Sequence, residues 1–141
     1  MKRHSVRLFG TRAALLITLL AAFTSGLFAQ SVQMKANIPF AFYIGGKLLP
    51  AGAYSVTPLA SQNGIQISNS SGMIAMLITT PVANSNPTRS RFVFHRYGTV
   101  YFLSELQWEG YFAGHALPES KLEIEARHSS APETAVLSAT R

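Results

Sequence analysis

Histidine and glutamate are the residue types in this chain that could support acid–base chemistry. The chain of 141 residues has four histidines and six acidic residues, all of them glutamate. His95 and Arg96 are adjacent in a predicted strand, so their side chains should point to opposite faces and should not line one site. We therefore expect His95 to be a partly buried, hydrogen-bonded residue rather than a general base.

A metal site built from histidines would need His95, His115 and His128 to converge. No H-x-H or H-x3-H spacing brings any two of them together on one element. The chain also lacks cysteine and aspartate. This excludes disulfides, thiolate metal sites, Asp-rich calcium loops and an Asp-oriented Ser–His pair. The sequence predicts neither a metal site nor a cofactor.

Hydrolytic activity has weak support in the sequence. No G-x-S-x-G motif is present, so the strained serine of an α/β-hydrolase is not expected. Glu105, Glu109 and Glu119 could supply the carboxylate pair of a glycoside hydrolase, in which the separation of the two groups determines the mechanism. The sequence does not give that separation, and we expect a protein that is not an enzyme. The alternative is a small periplasmic or extracellular hydrolase that uses His95 or glutamates.

An aromatic segment from Trp108 to Gly114 is the candidate binding surface. Trp108, Tyr111 and Phe112 could form a platform for sugar rings or for a partner protein, because aromatic side chains offer a large area with few rotors to order. Tyr101 is a further candidate on the half-exposed face of the preceding strand, beside Leu103. The alternative is that Trp108 and Phe112 plug one end of the fold.

The first 29 residues have the pattern of a secretory signal peptide. A positively charged start is followed by an apolar run, Ala13 to Phe23, in which Thr18 is the one polar residue and which is shorter than the ~20 residues of a membrane span. Cleavage is expected before Gln30. The leader holds four of the 12 basic residues, so its removal lowers the net charge from +6 to +2. Nucleic acid is therefore not an expected partner.

The remaining residues predict one all-β domain over 30–128, a small antiparallel sandwich or partly closed barrel of about seven strands with one short C-terminal helix. Ile38, Phe40, Phe42 and Ile44 form an apolar row with a break at Pro39. Turns are expected at Gly45-Gly46, at 48–52 and at 69–72, and an exposed loop at 81–90.

Three further segments complete the predicted domain. Residues 73–80 are apolar on both sides, which favours a central strand covered on both faces. Residues 91–97 and 99–108 predict a hairpin, with Val100, Phe102, Leu106 and Trp108 on the core face of its second strand. Residues 118–127 predict the helix, in which Leu122 and Ala126 lie four apart. Residues 129–141 are expected to be a disordered tail.

Two blocks of this sequence resemble a group of small secreted bacterial proteins of unknown function. The first, GGKLLPAGAYSV, spans 45–56, and the second, FHRYGTVYFLS, spans 94–104. The resemblance covers 36–125 and implies an exported β domain, but it supplies no catalytic or binding residues. We expect a secreted or periplasmic, non-enzymatic binding or structural module of the cell envelope. Its expected partner is an envelope protein or polysaccharide, with membrane contact only through the leader before cleavage.

Overall fold

A computed structural model describes residues 32–59, 63–83 and 87–141 of the chain. The predicted leader, 1–29, lies outside these residues. The described strands are β1 (Met34–Ile38), β2 (Phe42–Ile44), β3 (Lys47–Leu49), β4 (Gly52–Pro58), β5 (Gly64–Asn69), β6 (Gly72–Ile78), β7 (Thr80–Ala83), β8 (Arg91–Tyr97), β9 (Val100–Gln107), β10 (Ala113–Ala116) and β11 (Glu133–Ser138). One helix, α1 (Lys121–Ser129), separates β10 from β11. No helix in the described ranges has the length and apolar character needed to cross a membrane.

The strands form two sheets, which confirms the predicted all-β sandwich with one C-terminal helix. The first sheet has the order β1-β4-β5-β6, and all its pairs are antiparallel. The second has the order β11-β8-β9-β10-β7, with β3 paired to β2 and β2 paired in parallel to β9. Neither sheet closes into a barrel. The strands outnumber the seven expected because the apolar row divides into β1 and β2, and because segments predicted as turn, loop or tail form β3, β7, β10 and β11.

A single hydrophobic core joins side chains from both sheets. It includes Met34, Ile38, Phe42, Ile44, Tyr54, Val56, Ile65, Ile67, Phe92, Phe94, Leu103, Leu106 and Trp108. Aromatic contacts are edge-to-face at its centre, where the Phe42 ring lies 5.2 Å from that of Tyr54 and 5.5 Å from that of Phe94. The buried Tyr54 hydroxyl donates a 2.6 Å hydrogen bond to the carbonyl oxygen of Pro50.

The predicted break at Pro39 is the point where the chain passes from one sheet to the other. Ile38 ends β1 in the first sheet, and Phe42 begins β2 in the second. Ile38, Phe42 and Ile44 are buried, and Phe40 packs against the same core, so the apolar row is confirmed across the break. Proline suits this position because it cannot donate to a sheet ladder.

Glycines form the turn after β2, as the sequence predicts. Gly45 and Gly46 have φ angles of +54° and +84°, the signs that a two-residue type I′ hairpin turn requires at both positions. A Cβ atom on Gly45 would also come within 2.9 Å of Leu77 Cδ2. Glycine is therefore favoured at position 45 for two reasons, the positive φ angle and the close approach of Leu77 in β6.

The prediction of a central strand over 73–80 is wrong. The segment forms β6, which lies at the edge of the first sheet with β5 as its hydrogen-bonded neighbour. Ile74 and Leu77 turn toward the core, whereas Met73, Met76 and Ile78 point outward. An apolar run does not distinguish a strand covered on both faces from an edge strand with an uncovered apolar face.

A β-bulge changes the predicted faces of β9. The hairpin of β8 and β9 is confirmed, but Val93 pairs with Glu105 and Phe94 pairs with Leu103, which leaves Ser104 as the extra residue. The Ser104 hydroxyl donates to the carbonyl oxygen of Val93 at 3.0 Å. Because the bulge reverses the alternation, Leu103 joins Leu106 in the core, Val100 is exposed, and Phe102 is buried on the opposite face of the sheet.

The expected disordered tail is also wrong, because residues 133–138 form β11. This strand pairs antiparallel with β8, and Ala135 and Leu137 pack against the core opposite Phe94 and Phe92. Because the segment is rich in Ala and Thr, its short alternation of apolar and polar residues is hard to recognise in the sequence. Pairing with β8 stabilises the strand. The predicted exposed loop over 81–90 is wrong in its first part, because β7 pairs with β10.

The helix begins slightly later than predicted. Ser120 caps α1, and its hydroxyl accepts a 3.2 Å hydrogen bond from the Glu123 amide. Leu122 is exposed, and the helix instead buries Glu123. A buried carboxylate requires a specific polar partner, and the sheet supplies one.

Candidate functional site

The aromatic segment after β9 is a tight turn that separates the predicted platform into two parts. The Tyr111 amide donates to the Trp108 carbonyl oxygen at 3.2 Å, and Gly110 takes a φ of +78°. Trp108 is buried, and its indole N–H donates to the carbonyl oxygen of Val32 at 3.3 Å. Tyr111 and Phe112 remain 48% and 77% exposed. Trp108 therefore belongs to the core, and only the other two could contact a ligand.

Tyr101 is half-buried and faces the core rather than the turn. Its ring stacks on Phe40, with centroids 3.8 Å apart and planes at 14°. The Arg96 guanidinium carbon lies 5.9 Å from the same ring, in cation–π range. The structure therefore does not bring the four candidate residues together on one surface.

The outer face of β6 is an exposed apolar surface, although the sequence predicts a strand covered on both faces. Met73, Met76 and Ile78 are 61%, 57% and 72% exposed. They lie opposite Ser68, Gln66 and Gly64 of β5, whose outward face is polar or has no side chain. We call Met73, Met76 and Ile78 the β6 patch.

A buried hydrogen-bond network fixes the end of β6 at the corner where the chain enters β7. The Thr79 hydroxyl bonds to the Asn63 carbonyl oxygen and lies 2.8 Å from His115 Nδ1. The His115 ring packs edge-to-face on Trp108 with centroids 5.1 Å apart. Burial lowers the pKa of His115. The β6 patch is therefore held on a rigid element rather than on a loop.

A polar cluster lies where α1 covers the face of the second sheet that is turned away from the core. His95 Nδ1 is 2.7 Å from Glu123 Oε1, and the Glu123 side chain is almost completely buried. His95 and Arg96 point to opposite faces, as predicted: Arg96 approaches Tyr101 on the core side, whereas His95 meets the helix. The expectation of a partly buried, hydrogen-bonded His95 is confirmed.

Tyr97 and Glu119 extend this cluster. Tyr97 lies two residues beyond His95 on the same face of β8, and its buried hydroxyl has no hydrogen-bond partner among the described residues. Burial and the negative charges of Glu123 and Glu119 raise the pKa of Tyr97, against the opposing charge of Arg127. Glu119 Oε1 accepts a 3.0 Å hydrogen bond from Arg127 Nη1. We call His95, Tyr97, Glu119 and Glu123 the helix–sheet cluster.

The histidines do not converge in the described structure. His95 meets Glu123, His115 meets Thr79, and His128 Nδ1 lies 2.7 Å from the Ile124 carbonyl oxygen within its own helix. Glu123 and Tyr97 were missed as candidates. The S-x-x-E pattern at Ser120 marks the helix start, and His95 and Tyr97 share a strand face, but their meeting depends on helix docking.

Comparison of the chain with protein-family models, with curated proteins and with solved structures finds no match. The resemblance to a group of small secreted bacterial proteins stays a prediction.

Proposed function

We propose that this protein is an exported, non-enzymatic binding module of the cell envelope that binds an extended segment of a partner protein along β6. The observation that carries this proposal is the exposure of the β6 patch at a sheet edge. Covering apolar side chains is favourable by roughly 25 cal/mol per Å². An edge strand also offers backbone N–H and C=O groups to an incoming strand.

The composition of β6 supports a partner that adds a strand. Edge strands are commonly protected from pairing by charged residues or proline, yet residues 72–80 contain neither. A bulge at Ile74, between the pairs Ile67–Ala75 and Ser68–Met73, interrupts the start of the strand. Ala75 to Ile78 remain regular. The matching partner is an uncharged, extended segment with apolar side chains at alternate positions.

The envelope location rests on the sequence. The predicted leader directs export, and the absence of cysteine leaves no cysteine that could carry a lipid at the start of the mature protein. The sandwich fold suits a module that presents a binding edge on a rigid support. These features support an exported protein that acts by binding.

A charge placed in the β6 patch tests the proposal. Met76→Lys puts a charge on an exposed position, so the free energy of unfolding should change by only about 0.5 kcal/mol while strand pairing is impaired. Leu48→Lys is the matched control, because Leu48 is similarly exposed but lies on β3. Immobilised wild type and Leu48→Lys should retain the same envelope protein, and Met76→Lys should not.

Hydrogen exchange locates the contact directly. A synthetic segment of the retained protein should slow amide exchange in β6, with no change at Tyr111 and Phe112. Retention by Met76→Lys, or protection confined to the turn at 109–112, would overturn the proposal. If Tyr111→Ala with Phe112→Ala abolishes retention on envelope polysaccharide while Met76→Lys has no effect, the ligand is a sugar and the turn is the site.

The non-enzymatic part of the proposal has its own test. His95 is one of the residues, with the glutamates, that the alternative hydrolase could use. Loss of a measurable hydrolytic activity in His95→Ala, at an unchanged melting temperature, would refute a pure binding module. Loss of stability alone is the result expected from the contact between His95 and Glu123.

A further inference from the structure

We propose that His95, Glu119 and Glu123 bind one divalent transition-metal ion, Zn²⁺ by preference, between α1 and the second sheet. The imidazole nitrogen and the two carboxylate oxygens lie within 4.8 Å of one another. One nitrogen and two oxygen ligands form a donor set that Zn²⁺ accepts, with a water molecule as fourth ligand. The imidazole disfavours Mg²⁺ and Ca²⁺, which prefer oxygen ligands.

The ligands are held by elements that the fold already fixes. His95 lies in the middle of β8, which is paired on both sides by β9 and β11. Glu123 lies in the first turn of α1, where the Ser120 cap sets the start of the helix. Its carboxylate is not turned back to the helix terminus but lies 2.7 Å from His95 Nδ1. Two of the three ligands are therefore adjacent before any ion binds, and binding must replace the hydrogen bond between them.

A buried polar group that is not one of these ligands also indicates that an ion or molecule binds at this position. Tyr97 is buried on the same face as His95, and its hydroxyl has no partner in the described structure. A buried hydroxyl without a hydrogen-bond partner destabilises the folded state. A water molecule bound to the metal, or a carboxylate turned by it, would accept this hydrogen bond and orient the ligands from outside.

The charges around the cluster are compatible with a cation. Glu119 and Glu123 bring two negative charges, and Arg127, which contacts Glu119, brings one positive charge. Binding requires Glu119 to exchange its contact with Arg127 for the metal. Since Glu119 and Arg127 are both partly exposed, their contact is a weak competitor.

Titration of tag-free protein with Zn²⁺ tests the proposal by calorimetry and melting temperature. One ion should bind per chain and raise the melting temperature, because it binds the folded state. Glu119→Gln should keep the fold and lower the affinity at least tenfold, because it removes a ligand from a partly exposed position. His128→Gln is the control, because His128 is exposed and outside the cluster, and it should bind as wild type does.

Co²⁺ provides a second measurement that does not depend on stability. Bound in place of Zn²⁺, it should give visible absorption bands that are lost in Glu119→Gln and in His95→Gln. Absence of binding by wild type would overturn the proposal and leave His95–Glu123 as a structural contact. Equal Zn²⁺ affinity in wild type and Glu119→Gln would overturn it as well. Both results are independent of whether β6 binds a partner.

Discussion

Leu103→Ala and Val100→Ala together test the β-bulge that reverses the faces of β9. Strict alternation would place Val100 in the core and leave Leu103 half-exposed, whereas the structure leaves Leu103 3% and Val100 38% exposed. Leu103→Ala removes three carbons from the core, worth roughly 2.4 kcal/mol in transfer free energy, and leaves a cavity that brings the loss to about 3–4 kcal/mol. Val100→Ala removes two partly exposed carbons and should cost about 1 kcal/mol or less.

Urea unfolding and thermal melts of the two variants measure this difference. At about 4 °C per kcal/mol for a domain of this size, Leu103→Ala should melt about 12–16 °C below wild type. Val100→Ala should melt within about 4 °C of it. The slope of the free energy against urea should be the same for both, which shows that the comparison is between similar unfolding reactions. A larger loss in Val100→Ala would mean that β9 pairs without the bulge at Ser104.

Three further results are expected. Phe102→Ala should lower the free energy of unfolding by roughly 3–5 kcal/mol in urea melts, because Phe102 is buried beside Tyr97. Glu105→Ala should lower it by no more than about 0.5 kcal/mol. The reverse order would contradict these assignments. Burial lowers the pKa of His115 in the folded state. Between the ordinary pKa of 6.5 and this lower value, the unfolded chain binds more protons than the folded chain. Wild type should therefore lose stability as the pH falls through this range. His115→Gln should lack this part of the pH dependence. Equal slopes of stability against pH in wild type and His115→Gln would refute this expectation. Protein from the envelope should have an intact mass that begins at or near Gln30, and a full-length mass would refute leader cleavage.

Local patterns predicted the features of the fold that depend on neighbours in the chain. The apolar row from Ile38 to Ile44 predicted both the core side chains and the break at Pro39. The glycine pair after β2 predicted a turn, and the hairpin of β8 and β9 followed from its aromatic and β-branched strands. These features depend on side-chain alternation and on backbone dihedral angles, which a short segment sets largely by itself.

Candidate sites were predicted less well because they depend on packing between distant segments. Trp108 was expected in either a platform or a plug, and its burial against Val32 excludes it from any surface. His95 was expected to be hydrogen-bonded, but its partner is 28 residues away. No local pattern identifies Glu123 as that partner, because α1 must first dock on the sheet.

The sequence alone determined the strand-rich character of the chain, its main turns and the apolar row across Pro39. The tertiary structure alone decided the order of the strands, and with it whether an apolar strand lies at the centre or at the edge of a sheet. Residues 73–80 show why: their composition fits either position, and hydrogen bonds to segments elsewhere in the chain leave β6 at an edge. Pairing between distant segments also explains β11. The sequence of residues 133–138 indicates a strand only weakly, but hydrogen bonds to the edge of β8 stabilise it.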